Sequence, residues 1–193
     1  MKTLLLTFFL IFCGVSISQN LIEFNKKQNT INKRGMQSLT SWSTLNLGIS
    51  AYGAATAEGE ARYFHQINIG WSAINLCLSV PGLVKAHRNK EFDLSPENTL
   101  KGQIKTEQVF LFNTALDVAY ITGGFLLKER AKNDPENFQR FNGFGNAVIL
   151  QGGFLFVFDL VMAVIHSNHR KKLYAPLELG FNQNGIGLRY TFN

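Results

Sequence analysis

Four long windows of apolar residues, each almost free of charge, constrain the fold of this chain more than any other feature. They are residues 36–57, 67–84, 108–127 and 144–166. An α-helix needs about 20 mainly apolar residues to cross a bilayer, and each window is close to that length. The sequence therefore predicts an all-α fold, a four-helix transmembrane bundle of two helical hairpins. A soluble bundle stays open as an alternative, because the first two windows are rich in Ser, Thr, Asn and Gly.

Hydrogen-bonding side chains lie near the middle of the apolar windows. They are Asn46, Asn75, Asn113, Asp117, Gln151 and Asp159. A central Asp costs about 2.5–3.5 kcal/mol on insertion scales, so we expect Asp117 to face other helices, with the carboxamides of Asn46 and Asn75 as its donors. These six residues form a predicted intramembrane polar layer. Such a layer commonly just holds helices together, but intramembrane carboxylates also bind ions or protons, and Asp117 and Asp159 could share one.

Two of the central asparagines, Asn46 and Asn75, belong to a repeat. WSTLNLGISAYG at 42–53 and WSAINLCLSVPG at 71–82 agree at six of twelve positions. The repeat predicts that the first two windows form one hairpin, with AEGEARYF at 57–64 as its turn. We interpret the repeated asparagines as members of the polar layer and the two tryptophans as packing or interface anchors.

Small residues support close packing of the predicted helices. Adjacent glycines occur at 123–124 in the third window and at 152–153 in the fourth. Glycine lets helix backbones approach each other closely in a membrane. The same pairs could instead act as hinges, because glycine loosens a helix.

Helix starts are marked by SPEN at 95–98 and DPEN at 134–137. In each motif a capping side chain precedes a proline at the first helical position. A third helix from Pro96 to about Arg130 would exceed the bilayer core, so its first three turns must lie in water or against another part of the protein. After the last window, two short runs around Asn184-Gly185 predict a C-terminal β-hairpin within 176–192.

The first residues have the layout of a secretory signal peptide: one Lys, an apolar core and then small residues. An uncleaved anchor is the alternative. The predicted organisation is a signal peptide at 1–19, a basic polar linker at 20–34, the membrane bundle at 35–167, and a basic segment with the β-hairpin at 168–193. Cleavage would leave Cys77 as the only cysteine, so no intrachain disulfide is expected.

The basic side chains do not settle the orientation. Thirteen Lys and Arg residues fall on the side of the predicted termini and five on the other, which by the positive-inside bias places both termini in the cytoplasm. A cleaved signal peptide requires the opposite. The net charge of +6 could suggest nucleic acid, but attraction to anionic lipid headgroups is the simpler interpretation for a membrane chain, and no nucleic-acid partner is expected.

Catalytic signatures are absent from the sequence: it contains no GxSxG, no phosphate-binding glycine loop with Lys, no HExxH and no CxxC. His166 and His169 are three residues apart and could share a metal, but beside Arg170, Lys171 and Lys172 they more often form a basic helix end that faces lipid phosphates. We therefore expect no enzyme activity, no cofactor and no metal.

The segments WSTLNLGIS, FHQINIGWSAINLCLS, NTALDVAY and QGGFLFVFD resemble a family of small bacterial membrane proteins of unknown function, with four helices after a signal peptide. The resemblance covers most of residues 35–167. It implies location in the envelope of a Gram-negative bacterium, which we take to be the inner membrane, and it implies no substrate.

The leading hypothesis from the sequence is a non-enzymatic membrane protein with a structural or partner-binding role. Its docking surface would be the C-terminal hairpin or the projecting base of the third helix. The alternative is a small transporter or an ion- or proton-binding protein that uses Asp117 and Asp159. The lipid bilayer is the expected partner, and a protein partner and the oligomeric state stay open.

Overall fold

The chain folds into four long helices followed by two short strands. The computed structural model describes residues 2–88, 95–174, 177–182 and 185–190, with side chains from residue 21 to residue 173 within those ranges. The elements are α1 (Lys2–Thr56), α2 (Gly59–Arg88), α3 (Pro96–Lys132), a 3-10 turn (Pro135–Asn137), α4 (Phe138–Tyr174), β1 (Leu177–Asn182) and β2 (Gly185–Tyr190). The predicted helical fold with four helices is confirmed.

The helices associate in two pairs. α1 packs mainly on α2, α3 packs mainly on α4, and contacts between α2 and α4 join the pairs. Beyond α4, the strands β1 and β2 pair antiparallel, with Leu177 opposite Tyr190 and Asn182 opposite Gly185.

Both capping motifs act as the sequence predicts. The Ser95 hydroxyl accepts a hydrogen bond from the backbone N–H of Asn98 at 3.4 Å, and α3 begins at Pro96. Asp134 accepts from the backbone N–H of Asn137 at 3.2 Å, and the chain passes through the 3-10 turn into α4. Each cap satisfies a backbone donor that the first helical turn leaves unpaired.

The first helix is longer than the sequence indicates. Residues 20–34, predicted to be a polar linker, are helical and continue without a break into the first apolar window. Leu21 and Phe24 are buried one turn apart, and the Phe24 ring stacks on His169 of α4 with centroids 4.0 Å apart. The packing of this apolar face against α4 explains why a segment rich in Lys, Asn and Gln stays helical.

The predicted first turn is also shorter in the structure. Only Ala57 and Glu58 separate α1 from α2, so most of AEGEARYF belongs to α2. Gly59 has a φ of +56°, a left-handed conformation that glycine adopts without a steric penalty, and this allows the sharp reversal.

The seam between α3 and α4 depends on glycine. A Cβ added at Gly152 would lie 3.0 Å from Cγ1 of Ile121 and 3.3 Å from the backbone oxygen of Asp117. At the neighbouring Gly153, and at Gly123, nothing lies within 4 Å of such an atom. Only one glycine of the 152–153 pair therefore brings the two helices together.

Candidate functional site: the polar interior of the bundle

The interior of the bundle is polar and its exterior is apolar. Among the described side chains, fourteen buried ones are polar or charged and ten are apolar. The largest fully buried side chains are His166, Gln103, Gln151, Asn68, Ser43, Ser72 and Ser79. A water-soluble bundle has the reverse arrangement, because burial of apolar area is what stabilises it.

Large apolar side chains point outward from every helix. On α1 these include Leu45, Ile49 and Tyr52, which are 64%, 64% and 73% exposed. Three helical segments, Gly59–Arg88, Pro96–Lys132 and Pro135–Leu173, are long and apolar enough to cross a membrane. The apolar exterior and these three segments indicate a membrane protein.

Gln151 of α4 is the centre of the first polar cluster. Its Nε2 donates to Oδ1 of Asn68 at 2.5 Å and to Oδ1 of Asn46 at 3.4 Å. Its Oε1 accepts from the indole Nε1 of Trp42 at 3.1 Å. One fully buried amide therefore ties α1, α2 and α4 together. Trp42 also stacks on Phe154, with ring centroids 3.9 Å apart and planes 5° apart.

The two copies of the sequence repeat place serines in the interior. Ser43 and Ser50 are buried on α1, and Ser72 and Ser79 are buried at the matching positions of α2. Within each copy the two serines are seven residues apart, which puts them on one helix face. Thr40 donates to the Ser79 hydroxyl at 2.9 Å, so the small polar faces of the two helices meet.

Asp117 of α3 and Asp159 of α4 form the second polar cluster. Both are buried, with 2% and 5% of their surface exposed. Their carboxyl groups lie close enough to interact with each other, and Asn113 lies close enough to interact with Asp159. None of the ion pairs between described residues involves either aspartate. The second carboxyl oxygen of Asp117, Oδ2, has no hydrogen-bond partner in the described part of the chain.

The predicted donors to Asp117 are not used. Asn46 donates to the backbone oxygen of Trp42 in its own helix, at 3.0 Å, and otherwise bonds to Gln151. Asn75 is buried, but its Nδ2 has no partner among the described residues. The prediction is wrong because Asn46 and Asp117 belong to different helix pairs, and Gln151 lies between them on α4.

Asn75 and Asp117 nevertheless lie at the same depth. The Trp71 ring on α2 contacts the Tyr120 ring on α3, with centroids 4.9 Å apart. Asn75 lies about one turn after Trp71 on α2, and Asp117 lies about one turn before Tyr120 on α3. Because α2 and α3 run antiparallel, both steps lead in the same direction along the bundle. An unpartnered buried amide and an unpartnered carboxyl oxygen thus face the bundle interior at one level.

A third polar cluster holds the end of the bundle near residues 21–34. The Gln103 Nε2 donates to the backbone oxygen of His166 at 2.7 Å and lies 3.3 Å from its Nδ1. His169 Nε2 lies 3.0 Å from the backbone oxygen of Phe24. Both histidines are buried, so the predicted placement against lipid phosphates is wrong for them. Their rings stack on Phe110 and Phe24, so both side chains pack mainly against protein.

The base of α3 packs against protein. Asn25 of α1 donates to the Thr99 hydroxyl at 3.1 Å, and Glu107 pairs with Arg170 of α4 at 2.8 Å. The first three turns of α3 therefore contact α1 and α4, which is one of the two placements that the sequence allows. In the parts of the chain for which side chains are described, no three His, Cys, Asp or Glu side chains come together as a metal site.

Sequence reasoning missed several interior residues. Asn68, Gln103 and the four serines of the repeat line the interior but were not predicted to do so. The serine stripe does have a sequence signal, since WSxxNxxxS occurs in both copies of the repeat. Gln103 has none, because it lies in a charged stretch outside the apolar windows.

Comparison with known proteins gives a family and no activity. A comparison with curated proteins and another with solved structures found no match. Residues 38–160, which span most of α1 beyond its polar part, α2, α3 and much of α4, match a family of unknown function. This match covers well over half of the chain and both central polar clusters, and the protein therefore belongs to the family of unknown function DUF6992.

Proposed function

We propose that this protein is a small non-enzymatic membrane protein that binds a proton or a small cation between Asp117 and Asp159, as a transporter or ion-binding protein does. The observation that carries the proposal is the contact between two buried carboxyl groups that have no ion pair among the described residues. Two adjacent carboxylates repel each other strongly, and a shared proton or a bound cation removes that repulsion.

A purely structural role for this pair is disfavoured by its chemistry. Asn or Gln side chains hold membrane helices together without the cost of burying charge, and the Gln151 cluster shows that this bundle uses them. A central Asp costs about 2.5–3.5 kcal/mol on insertion scales, and a shared proton or a bound cation lowers the cost of burying its charge. Asp117 Oδ2, which has no partner among the described residues, leaves a further oxygen that could coordinate an ion.

The proposal includes four membrane spans in a bacterial envelope membrane after removal of the signal peptide. The exposed apolar side chains of α1 support the fourth span, because Leu45, Ile49 and Tyr52 would otherwise face water. The layout of residues 1–19 supports the signal peptide. The apolar composition of the exterior supports a bilayer as the surrounding medium.

Paired substitutions test ion or proton binding. The full-length protein is reconstituted in vesicles, and proton, Na⁺ and K⁺ uptake are each followed in wild type, Asp117→Asn and Asp159→Asn. We expect uptake of one of the three in the wild type and its loss in both variants, whose thermal stability stays equal or rises because Asn keeps a hydrogen bond without the charge. Glu129→Gln is the control, since it removes an exposed carboxylate of α3 outside this cluster and should retain uptake.

The opposite pattern would overturn the proposal. If the wild type takes up none of the three ions and both Asn variants unfold at lower temperature, the pair is structural. The second candidate function, a structural or partner-binding role, would then stand. It is favoured by the hydrogen-bonded Gln151 cluster, and loss of a co-purifying protein on deletion of residues 174–193 would support it.

A further inference from the structure

A groove runs along the outer surface between α1 and α4. Its volume is about 650 Å³. It lies apart from the Asp117–Asp159 pair, on the face where the polar part of α1 meets the second half of α4. Ile31, Gly35 and Met162 are among the residues that line it.

The two ends of the groove differ in chemistry. Val157, Val161 and Ile165 line one part, and all three are exposed. They are four residues apart on α4, so they form one apolar stripe about 12 Å long at 1.5 Å per residue. Lys27 and Lys172 line the other part, whereas Arg34, next to the Gly35 that contacts Met162, lies beside the apolar stripe. Among the described residues that line the groove there is no carboxylate.

The three cations have no counterion in the described part of the chain. None of them takes part in the ion pairs between described residues, whereas the neighbouring Arg170 pairs with Glu107. Lys27 and Lys172 both lie close enough to interact electrostatically with His169, which also lines the groove. Lys27 of α1 and Lys172 of α4 therefore converge on one spot, and an anion there would relieve their repulsion.

This spot belongs to a strongly basic end of the bundle. Residues 21–34, 85–88, 96–107 and 166–174 carry eleven Lys and Arg side chains and three Glu. Contacts of Asn25 with Thr99 and of Asn29 with the backbone oxygen of Ala86 hold these segments together. The opposite end, at residues 58–62 and 128–140, has equal numbers of basic and acidic side chains.

We propose that this groove binds an anionic phospholipid. Lys27 and Lys172 hold the phosphate at the membrane surface, Arg34 adds positive charge further along α1, and an acyl chain lies along Val157, Val161 and Ile165. Basic pockets beside membrane helices recognise anionic headgroups in this way, and the adjoining apolar stripe selects a lipid over a soluble phosphate. The inference is independent of ion or proton binding by the two aspartates.

Lipid titration with matched charge variants tests the site. Native mass spectrometry of the full-length protein in detergent measures binding of phosphatidylglycerol and, separately, of phosphatidylcholine. In the triple variant Lys27→Gln/Arg34→Gln/Lys172→Gln, we expect phosphatidylglycerol binding to weaken by about fivefold per removed cation, with phosphatidylcholine binding unchanged. The control removes equal charge from the same end outside the groove, Lys85→Gln/Arg88→Gln/Lys105→Gln, and should change phosphatidylglycerol binding less than twofold.

Three results would overturn the proposal. The first is equal weakening in the groove variant and the control, which would mean general charge attraction. The second is displacement of the lipid by soluble glycerol phosphate at equal affinity, which would identify the ligand as a free phosphate. The third is a groove variant that changes the oligomeric state and leaves lipid binding intact, which would identify the groove as an interface between copies of the chain. If the triple variant fails to fold, Lys27→Gln alone is compared with Lys85→Gln.

Discussion

The indole Nε1 of Trp42 donates a hydrogen bond of 3.1 Å to Oε1 of Gln151 and so joins α1 to α4 inside the bundle. Gln151 uses its other amide atom to reach Asn68 on α2. The first tryptophan of the sequence repeat is thus both a stacking partner of Phe154 and a hydrogen-bond donor.

Removal of this amide should weaken the whole bundle. We expect Gln151→Leu to lower the free energy of unfolding by about 1–3 kcal/mol, because the Trp42 donor and an Asn68 acceptor are left buried without partners. Thermal unfolding in detergent, followed by circular dichroism, measures the change. Gln66→Leu is the control, since Gln66 is exposed on α2. Equal stability of the two variants would show that the Gln151 cluster contributes nothing.

The close packing of α3 on α4 at Gly152 predicts that valine at residue 152 lowers stability more than valine at residue 153. Gly152→Val should destabilise the fold by about 1–3 kcal/mol, because its Cβ would press on Ile121 and on the Asp117 backbone. Gly153→Val places the same side chain where nothing lies within 4 Å, so its effect should be small. Thermal unfolding of both variants gives the comparison. A larger effect at Gly153 would contradict the packing of α3 on α4.

The Glu107–Arg170 ion pair should stabilise the basic end of the bundle. Glu107 is 13% exposed and Arg170 30%, and Nε of Arg170 lies 2.8 Å from a Glu107 oxygen. We expect Glu107→Gln to cost about 1–3 kcal/mol, since a charge-assisted bond between partly buried groups is lost. Glu97→Gln is the control, because its pair with Lys101 is more than 70% exposed and should contribute about 0.5 kcal/mol or less. Equal losses of stability in Glu107→Gln and Glu97→Gln would contradict the burial of the Glu107–Arg170 pair.

Local signals explain which parts of the fold the sequence predicts correctly. Ser95 and Asp134 define helix starts through contacts three residues away, so the start of α3 and the approach to α4 follow from the sequence. The sequence did not predict that the polar part of α1 is helical, because it has few buried apolar residues, among them Leu21 and Phe24. Their partner His169 is 145 residues from Phe24 along the chain, and no local pattern reveals such a contact.

The polar interior follows from the sequence only in part, and its pairing does not. Asn46 and Asn68 meet Gln151 at one depth, whereas Asn75 lies seven residues beyond Asn68 on α2, about 10 Å further along the bundle. Asn46 and Asn68 also donate to backbone oxygens in their own helices, at 3.0 and 2.9 Å, which removes them as donors to Asp117. The contact between Asp117 and Asp159 arises because α3 packs directly on α4.

The number of membrane spans predicts where single cysteines can be labelled. In a Cys13→Ser/Cys77→Ser background, Lys33→Cys and Glu58→Cys flank the apolar part of α1. If α1 crosses the membrane, an impermeant maleimide reaches these two cysteines from opposite sides of sealed vesicles. Glu136→Cys, at the same end of the bundle as Glu58, should match Glu58→Cys. Labelling of the cysteines at 33 and 58 from the same side would show that α1 does not span.

The most direct test of the central claim, that the apolar exterior faces lipid around a polar interior, uses the native Cys77. This residue is exposed on the outer face of α2, between the buried Asn75 and Ser79. In sealed vesicles, with Cys13 replaced by Ser, we predict that an impermeant maleimide leaves Cys77 unlabelled from either side until detergent denatures the protein. Lys105→Cys, exposed at the basic end, should be labelled without denaturation. Labelling of Cys77 as fast as that of Lys105→Cys in intact vesicles would mean that the exterior faces water, and it would contradict the account.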